Sequence, residues 1–111
     1  MKIDINKVIN TVRRHCKNQG LCLPHSVVAC KTLERLGESA TVMMIGNFQH
    51  FYIKTKNFGD IDVFPNYKGE LNGEYLNLDM LRMTCNSEHL RLLTDDVVTE
   101  LQIIEKGGLS L

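Results

Sequence analysis

The chain has 111 residues, and its 13 lysines and arginines balance its 13 aspartates and glutamates, so the formal net charge is zero. A chain of this length buries roughly 65% of its unfolded surface as one domain, so folding requires neither a metal nor a disulfide. The scattered charge excludes a nucleic-acid binder that uses a basic patch, and no apolar run approaches the ~20 residues of a membrane span. We expect a single domain over residues 1–111.

The N-terminal residues and the cysteines both indicate the cellular compartment. The N-terminal residues lack the long apolar segment of a signal peptide, so we expect a cytoplasmic protein. A reducing compartment keeps thiols unpaired, and no tight pairing pattern is present. We therefore expect free thiols at Cys16, Cys22, Cys30 and Cys85.

The first predicted element is an amphipathic helix that ends at Gly20. Its apolar residues recur at intervals of three and four, which is the spacing of one helical face. They are Ile5, Val8, Ile9, Val12 and Cys16. The opposite face carries the basic residues Lys7, Arg13, Arg14 and Lys17.

A second helix is predicted over residues 23–36. Pro24 suits its first turn, where a missing N–H costs nothing, and Gly37 suits a left-handed cap at its end. The expected buried stripe runs back through Leu33 and Ser26 to Cys22. Cys22 is thus expected at the helix N-terminus, on the side that faces the core.

After Gly37 the pattern changes from helical to extended. Residues 41–45 and 48–54 are rich in β-branched and aromatic side chains, and a third such run covers residues 60–64, so we predict a three-stranded antiparallel meander. If residues 55–57 form the second hairpin loop, His50 lies directly opposite Asp62, with their Cβ atoms about 5 Å apart. Asp60 then becomes a diagonal neighbour on the same face.

The remaining residues predict a loop followed by helices. Residues 66–76 contain two glycines and other turn formers, which indicates a surface loop. We expect a short helix over residues 78–83, a turn after Ser87, and a longer helix that begins at a Thr94 cap and ends at residues 107–108. The predicted fold class is α+β, with N-terminal helices packed on the small sheet and helices at the C-terminus.

Cys22, His50 and Asp62 are the candidate catalytic residues. A helix N-terminus presents unpaired N–H groups and partial positive charge, which favour a thiolate over a thiol. An imidazole can pass a proton to and from such a nucleophile, and a carboxylate can orient the imidazole. The backbone N–H of Cys22 is a candidate oxyanion donor, and Gln19 is a candidate second donor.

Each of these residues also has a structural interpretation. A cysteine in line with a buried helical stripe is commonly a small core residue, and a histidine in a strand is commonly a satisfied, half-buried side chain. Asp62 differs, because a strand carboxylate between apolar neighbours needs a partner, either His50 or an arginine.

Zinc is a weaker interpretation. Its candidate ligands are His15, Cys16, Cys22 and His25, but the first two are adjacent on one helix and would point in different directions. We therefore expect no metal and no cofactor.

Residues 18–66 resemble the transglutaminase-like cysteine peptidase superfamily. The likeness lies in the helix opening Cys22-Leu23-Pro24-His25-Ser26, the strand ending at Ile45-Gly46, the following His50, and Ile61-Asp62-Val63. The Cys-Leu-x-x-Ser opening and the short distance to the histidine are most similar to the leader peptidases that process lasso-peptide precursors. The resemblance implies a papain-like/transglutaminase-like core and acyl transfer through a thioester at Cys22, most often as peptide hydrolysis.

Two functions are therefore expected as alternatives. The first is a cysteine-dependent hydrolase or acyltransferase that acts on a peptide or protein substrate, with a partner protein as a candidate source of specificity and no nucleic acid or membrane involved. The second is a non-catalytic protein-binding module on the same scaffold, of phage or mobile-element origin. An exposed sulfur within about 4 Å of the imidazole would favour the first, whereas a ring on the far side of the sheet would favour the second.

Overall fold

The computed structural model describes residues 2–19, 22–65, 67–76 and 87–105, in which helices pack on a small antiparallel sheet in an α+β fold. These residues contain the helices α1 (Ile5–Cys16), α2 (Cys22–Arg35) and α3 (Ser87–Glu105), with a 3-10 helix at Lys17–Gln19. Their four strands are β1 (Ala40–Ile45), β2 (His50–Thr55), β3 (Gly59–Ile61) and β4 (Glu74–Tyr75). All neighbouring strands are antiparallel, in the order β3-β2-β1-β4.

Helix α1 follows the predicted amphipathic pattern. The side chain of Asp4 caps it by accepting a hydrogen bond from the Lys7 N–H. On its predicted apolar face, Val8, Ile9, Val12 and Cys16 are buried and Ile5 is half-buried. Arg13, on the basic face, is half-buried, whereas Lys7, Arg14 and Lys17 are exposed. The predicted helix end, Gly20, lies outside the described residues.

Helix α2 begins and ends one residue earlier than predicted, and Gly37 forms the predicted left-handed cap. Gly37 adopts a φ of 94°, the left-handed conformation that glycine takes without steric cost. The Glu38 N–H donates to the Leu33 carbonyl and the Gly37 N–H donates to the Glu34 carbonyl, which together form a Schellman motif. The chain reverses direction here, so β1 runs back along α2 toward the first turn of that helix.

The predicted register between β2 and β3 was wrong. Thr55 pairs with Gly59 and Ile53 pairs with Ile61, so residues 56–58 form the loop and His50 does not lie directly opposite Asp62. The Thr55 hydroxyl closes this loop, because it donates to the Gly59 carbonyl and accepts from the Phe58 N–H. Strand β3 also ends at Ile61, three residues before the predicted end.

The predicted three-stranded meander is present as β1, β2 and β3, but the predicted loop over residues 66–76 contains a fourth strand, β4. Its two residues pair with the free edge of β1, Tyr75 with Met43 and Glu74 with Met44. Strand β2 likewise begins at His50 rather than at Phe48, which lies in the preceding turn with a φ of 65°.

The C-terminal part differs from the prediction in its helix start. A single helix, α3, runs from Ser87, so Thr94 is not a cap. Thr94 is fully buried within α3, and its hydroxyl donates to the Leu90 carbonyl at 2.8 Å. The predicted helix over residues 78–83 and the predicted end at residues 107–108 lie outside the described residues.

The two faces of the sheet are covered differently. The helices cover one face, where Val42, Phe51 and Ile53 join the helix-side core. On the opposite face, Met43, Ile45 and Tyr52 form a smaller outer cluster against Tyr67 and Leu71. None of the helices in the described ranges is both long enough and apolar enough to cross a bilayer.

Candidate functional site

Cys22 is the first residue of α2, so its thiol lies at the helix N-terminus. The side chain is half-buried and packs against the helix-side core. The buried stripe predicted behind it is present, since Ser26, Ala29 and Leu33 are fully buried. The Ser26 hydroxyl donates to the Cys22 carbonyl at 2.7 Å. The first-turn N–H groups of a helix have no intrahelical acceptor, so this end is suited to negative charge.

His50 and Asp62 form a hydrogen-bonded pair. The imidazole Nε2 lies 2.7 Å from the Asp62 Oδ1. His50 is only 1% exposed and the Asp62 side chain 17% exposed, so the pair is largely withdrawn from water. The Asp62 carboxylate can only accept this hydrogen bond, so Nε2 carries the hydrogen. In the neutral imidazole, Nδ1 then keeps a lone pair that can act as a base. Asp60 is exposed opposite Lys54, so Asp62 is the carboxylate that meets the histidine.

Tyr67 covers the imidazole. The two rings are stacked, with centroids 5.0 Å apart and an interplanar angle of 12°. The segment that carries Tyr67 is tied to the sheet at its other end, where the Gly73 N–H donates to the Tyr52 hydroxyl at 2.9 Å. Residues 67–73 therefore form a strap over the outer face, and this strap buries the histidine.

Cys22 and His50 lie at the same end of the fold but belong to different layers. Residues 36–39 join the end of α2 to the start of β1, so Ile45 and its strand partner His50 lie toward the first turn of α2. Alternation along β2 places His50 with Tyr52 on the outer face, whereas Cys22 packs on the helix side. Among the described residues, no hydrogen bond links the Cys22 sulfur to the imidazole.

Arg13 is a site residue that the sequence analysis missed. Its Nε donates to the Val63 carbonyl at 2.7 Å, and its Nη2 donates to the Asp62 carbonyl at 3.1 Å. These two carbonyls belong to residues that lie beyond Ile61, the last paired residue of β3. The sequence indicated only that Asp62 needs a histidine or an arginine as a partner. Both are present, because His50 bonds to the Asp62 side chain and Arg13 bonds to its backbone carbonyl.

The other cysteines are less suited to nucleophilic chemistry. Burial raises the pKa of the Cys16 thiol to about 11, and burial, together with the nearby Glu34, raises the pKa of the Cys30 thiol. Cys16, Cys22 and Cys30 are free thiols. Cys85 and the side chain of Gln19, the predicted second oxyanion donor, lie outside the described part.

The candidate zinc ligands do not converge. Within the described ranges, no three histidine, cysteine, aspartate or glutamate residues form a group able to hold a metal ion. His15 instead contacts the Glu100 carboxylate at 3.1 Å, and the His25 ring lies against Phe64 with centroids 4.7 Å apart.

Comparison with known proteins finds no matching family model, no similar curated protein and no similar solved structure.

Proposed function

We propose that this chain is a cysteine-dependent acyl-transfer enzyme in which Cys22 is the nucleophile, His50 the general base and acid, and Asp62 the orienting carboxylate. The observation that carries the proposal is the 2.7 Å hydrogen bond between His50 and Asp62. Burying an imidazole and a carboxylate together has a desolvation cost, and their hydrogen bond offsets it. This pair lies toward the end of the fold where Cys22 begins a helix.

The proposed reaction has two steps. The Cys22 thiolate attacks an amide carbonyl and forms a tetrahedral intermediate, whose oxyanion the Cys22 N–H stabilises. The C–N bond then breaks, a thioester forms, and the imidazolium of His50 protonates the departing amine. Water or a second amine, deprotonated by His50, attacks the thioester and restores the thiol. Peptide hydrolysis is the outcome we propose first, in a cytoplasmic setting where the thiol stays reduced.

The proposed chemistry constrains the site in one respect. His50 must meet Cys22 during turnover, although their side chains occupy different layers. His50 is the first residue of β2 and so lies at the end of the sheet, where the way to Cys22 passes around the strand end rather than through the sheet.

Thiol alkylation tests the proposal. Full-length protein is treated with iodoacetamide from pH 6 to pH 9, and modification is followed by peptide mass spectrometry, with Cys16 and Cys30 as buried internal references. An ordinary thiol, with a pKa near 8.5, slows about tenfold per pH unit below that value. We expect Cys22 to stay reactive near pH 6. Reaction no faster than that of an ordinary thiol would contradict the proposal.

Two neighbouring carboxylates provide a matched comparison. Asp62→Asn should slow Cys22 alkylation at pH 6, because the imidazole loses the charged partner that orients it. Asp60→Asn removes the same charge at an exposed position and should leave the rate unchanged. Equal rates for the two variants would exclude Asp62 from the site. An activated acetyl ester supplies the second readout, since an acyl enzyme should gain and then lose one acetyl group at Cys22.

A second candidate is a non-catalytic protein-binding module on the same scaffold. The observation in its favour is the position of His50 beneath Tyr67, on the sheet face opposite the helices and Cys22, which is the arrangement expected above for a binding module. In that case the His50–Asp62 pair serves packing alone. An alkylation rate at Cys22 that is the same in wild type and His50→Ala would support this candidate over the enzyme.

A further inference from the structure

Arg13 joins two parts of the chain that are distant in sequence. It lies in the third turn of α1, and its two hydrogen-bond acceptors follow β3, 49 and 50 residues later. The neighbouring Arg14 makes a different contact, an ion pair with Glu100 of α3. Adjacent arginines with the same charge therefore serve two separate regions of the fold.

Arg13 donates hydrogen bonds to a backbone segment that lies beyond the end of β3. The β2–β3 ladder ends with the Ile53–Ile61 pair, so the carbonyls of Asp62 and Val63 need other donors. Nε and Nη2 of one guanidinium are fixed relative to each other in a plane, so two such bonds set both the position and the direction of a short backbone segment.

The backbone held in this way carries the carboxylate that meets His50. Val63 is fully buried in the helix-side core, and the Asp62 side chain points to the outer face, where its Oδ1 lies 2.7 Å from Nε2. A small rotation of the backbone at Asp62 would swing the carboxylate away from the imidazole. Arg13 is the described side chain that bonds to this backbone.

We infer that Arg13 is a positioning residue for the Asp62–His50 pair, which it holds through the carbonyls of Asp62 and Val63. The consequence for Cys22 reactivity rests on the proposed function. The effect on the imidazole hydrogen bond does not, so the two can fail separately.

Proton exchange at His50 tests the inference. The hydrogen on Nε2 of ¹⁵N-labelled, full-length protein is followed by NMR, and its exchange rate with water is measured at neutral pH. Asp62→Ala, which lacks the acceptor, provides the reference for a broken bond. In Arg13→Met we expect exchange about tenfold faster than in wild type, the factor that accompanies loss of roughly one hydrogen bond.

The matched control is Arg14→Met, which removes the same charge from the same helix. It should keep the wild-type exchange rate even if the protein is less stable, because its partner is Glu100. A wild-type rate in Arg13→Met would overturn the inference. An equal acceleration in Arg13→Met and Arg14→Met would also overturn it, since the effect would then belong to α1 as a whole.

A second variant keeps the test decisive if Arg13→Met does not fold. Arg13→Lys keeps the charge and the aliphatic stem but cannot reproduce the planar pair of donors. Faster exchange in Arg13→Lys supports the inference, and a wild-type rate overturns it. In the same variants, slower Cys22 alkylation at pH 6 would extend the positioning to the proposed reaction. If wild-type Cys22 is itself unreactive, the proposed function fails and the exchange measurement still decides the role of Arg13.

Discussion

Tyr52→Phe should loosen the strap over His50 and lower the stability of the protein by a measurable amount. Tyr52 is 1% exposed, and its hydroxyl accepts the Gly73 N–H at 2.9 Å. A Cβ placed on Gly73 would lie 2.5 Å from the Met44 carbonyl oxygen, so the glycine packs tightly against β1. The substitution removes one oxygen and leaves a partly buried N–H without its acceptor.

The expected loss in the free energy of unfolding depends on the partial exposure of Gly73. An unsatisfied buried donor costs about 1–3 kcal/mol, and water can reach this N–H in part, so we expect a loss of about 1 kcal/mol in the free energy of unfolding. With an m-value of about 2 kcal/mol/M, the urea midpoint falls by about 0.5 M. Amide hydrogen exchange supplies the local readout, because protection at Gly73 should fall more than protection in the core of β2.

Tyr75→Phe is the matched control, since it deletes the same oxygen from a tyrosine that is 66% exposed. Its urea midpoint should equal that of wild type. Equal midpoints for Tyr52→Phe and Tyr75→Phe, with unchanged exchange at Gly73, would refute the assignment of this hydrogen bond. The strap would then depend on apolar packing alone, through the contacts of Tyr67 and Leu71 with the outer cluster.

Three further substitutions test the helices. A hydrogen bond from Arg14, with a further one from His15, lowers the pKa of Glu100 to about 2, below its unfolded value of about 4.3. This contribution is present at neutral pH and is lost as pH falls from about 4 toward 2, so Glu100→Gln should flatten acid unfolding in that window. Thr94→Val should change the unfolding free energy by less than ~0.5 kcal/mol in urea titrations, whereas loss of a helix cap would cost about 1 kcal/mol. Leu33→Ala should cost about 3 kcal/mol in the same assay, because Leu33 is fully buried.

The elements that the sequence predicted correctly are those with a strong local signal. The three-to-four spacing in α1 and the glycine after α2 each depend on a few neighbouring residues, and both predictions were confirmed. The first residue of α2, Cys22, was predicted to within one position because Pro24 limits where a helix can begin.

The contact between His50 and Asp62 was predicted from a register that was wrong, and the period of a strand explains why. Moving the loop from residues 55–57 to residues 56–58 shifts the cross-strand partner of each residue by two positions. Since side chains alternate with a period of two, such a shift keeps every residue on its original face. Asp62 therefore became a diagonal neighbour of His50 instead of its direct partner, and the two side chains still meet.

The features that the sequence could not predict depend on distant contacts. Strand β4 has two residues and forms only because the edge of β1 is free to pair. The sequence around Thr94 resembles a cap because two aspartates follow it, yet burial in the helix interior determined its environment. The Arg13 contact spans about half of the chain, and a basic residue beside Arg14 gives no local indication of it.

Stability measurements on the His50–Asp62 pair alone cannot identify its role. Removing either partner leaves a buried polar or charged group uncompensated, which is costly whether the pair is catalytic or structural. Replacing both residues with apolar side chains of similar volume is often neutral or stabilising, and this also holds for both roles. The distinguishing quantity is the coupling of the pair to Cys22. If the pair is purely structural, replacing Asp62 should not change the reactivity of the Cys22 thiol. The reactivity of Cys22 in Asp62→Asn, compared with Asp60→Asn, is therefore the measurement that separates an enzyme from a binding module on this scaffold.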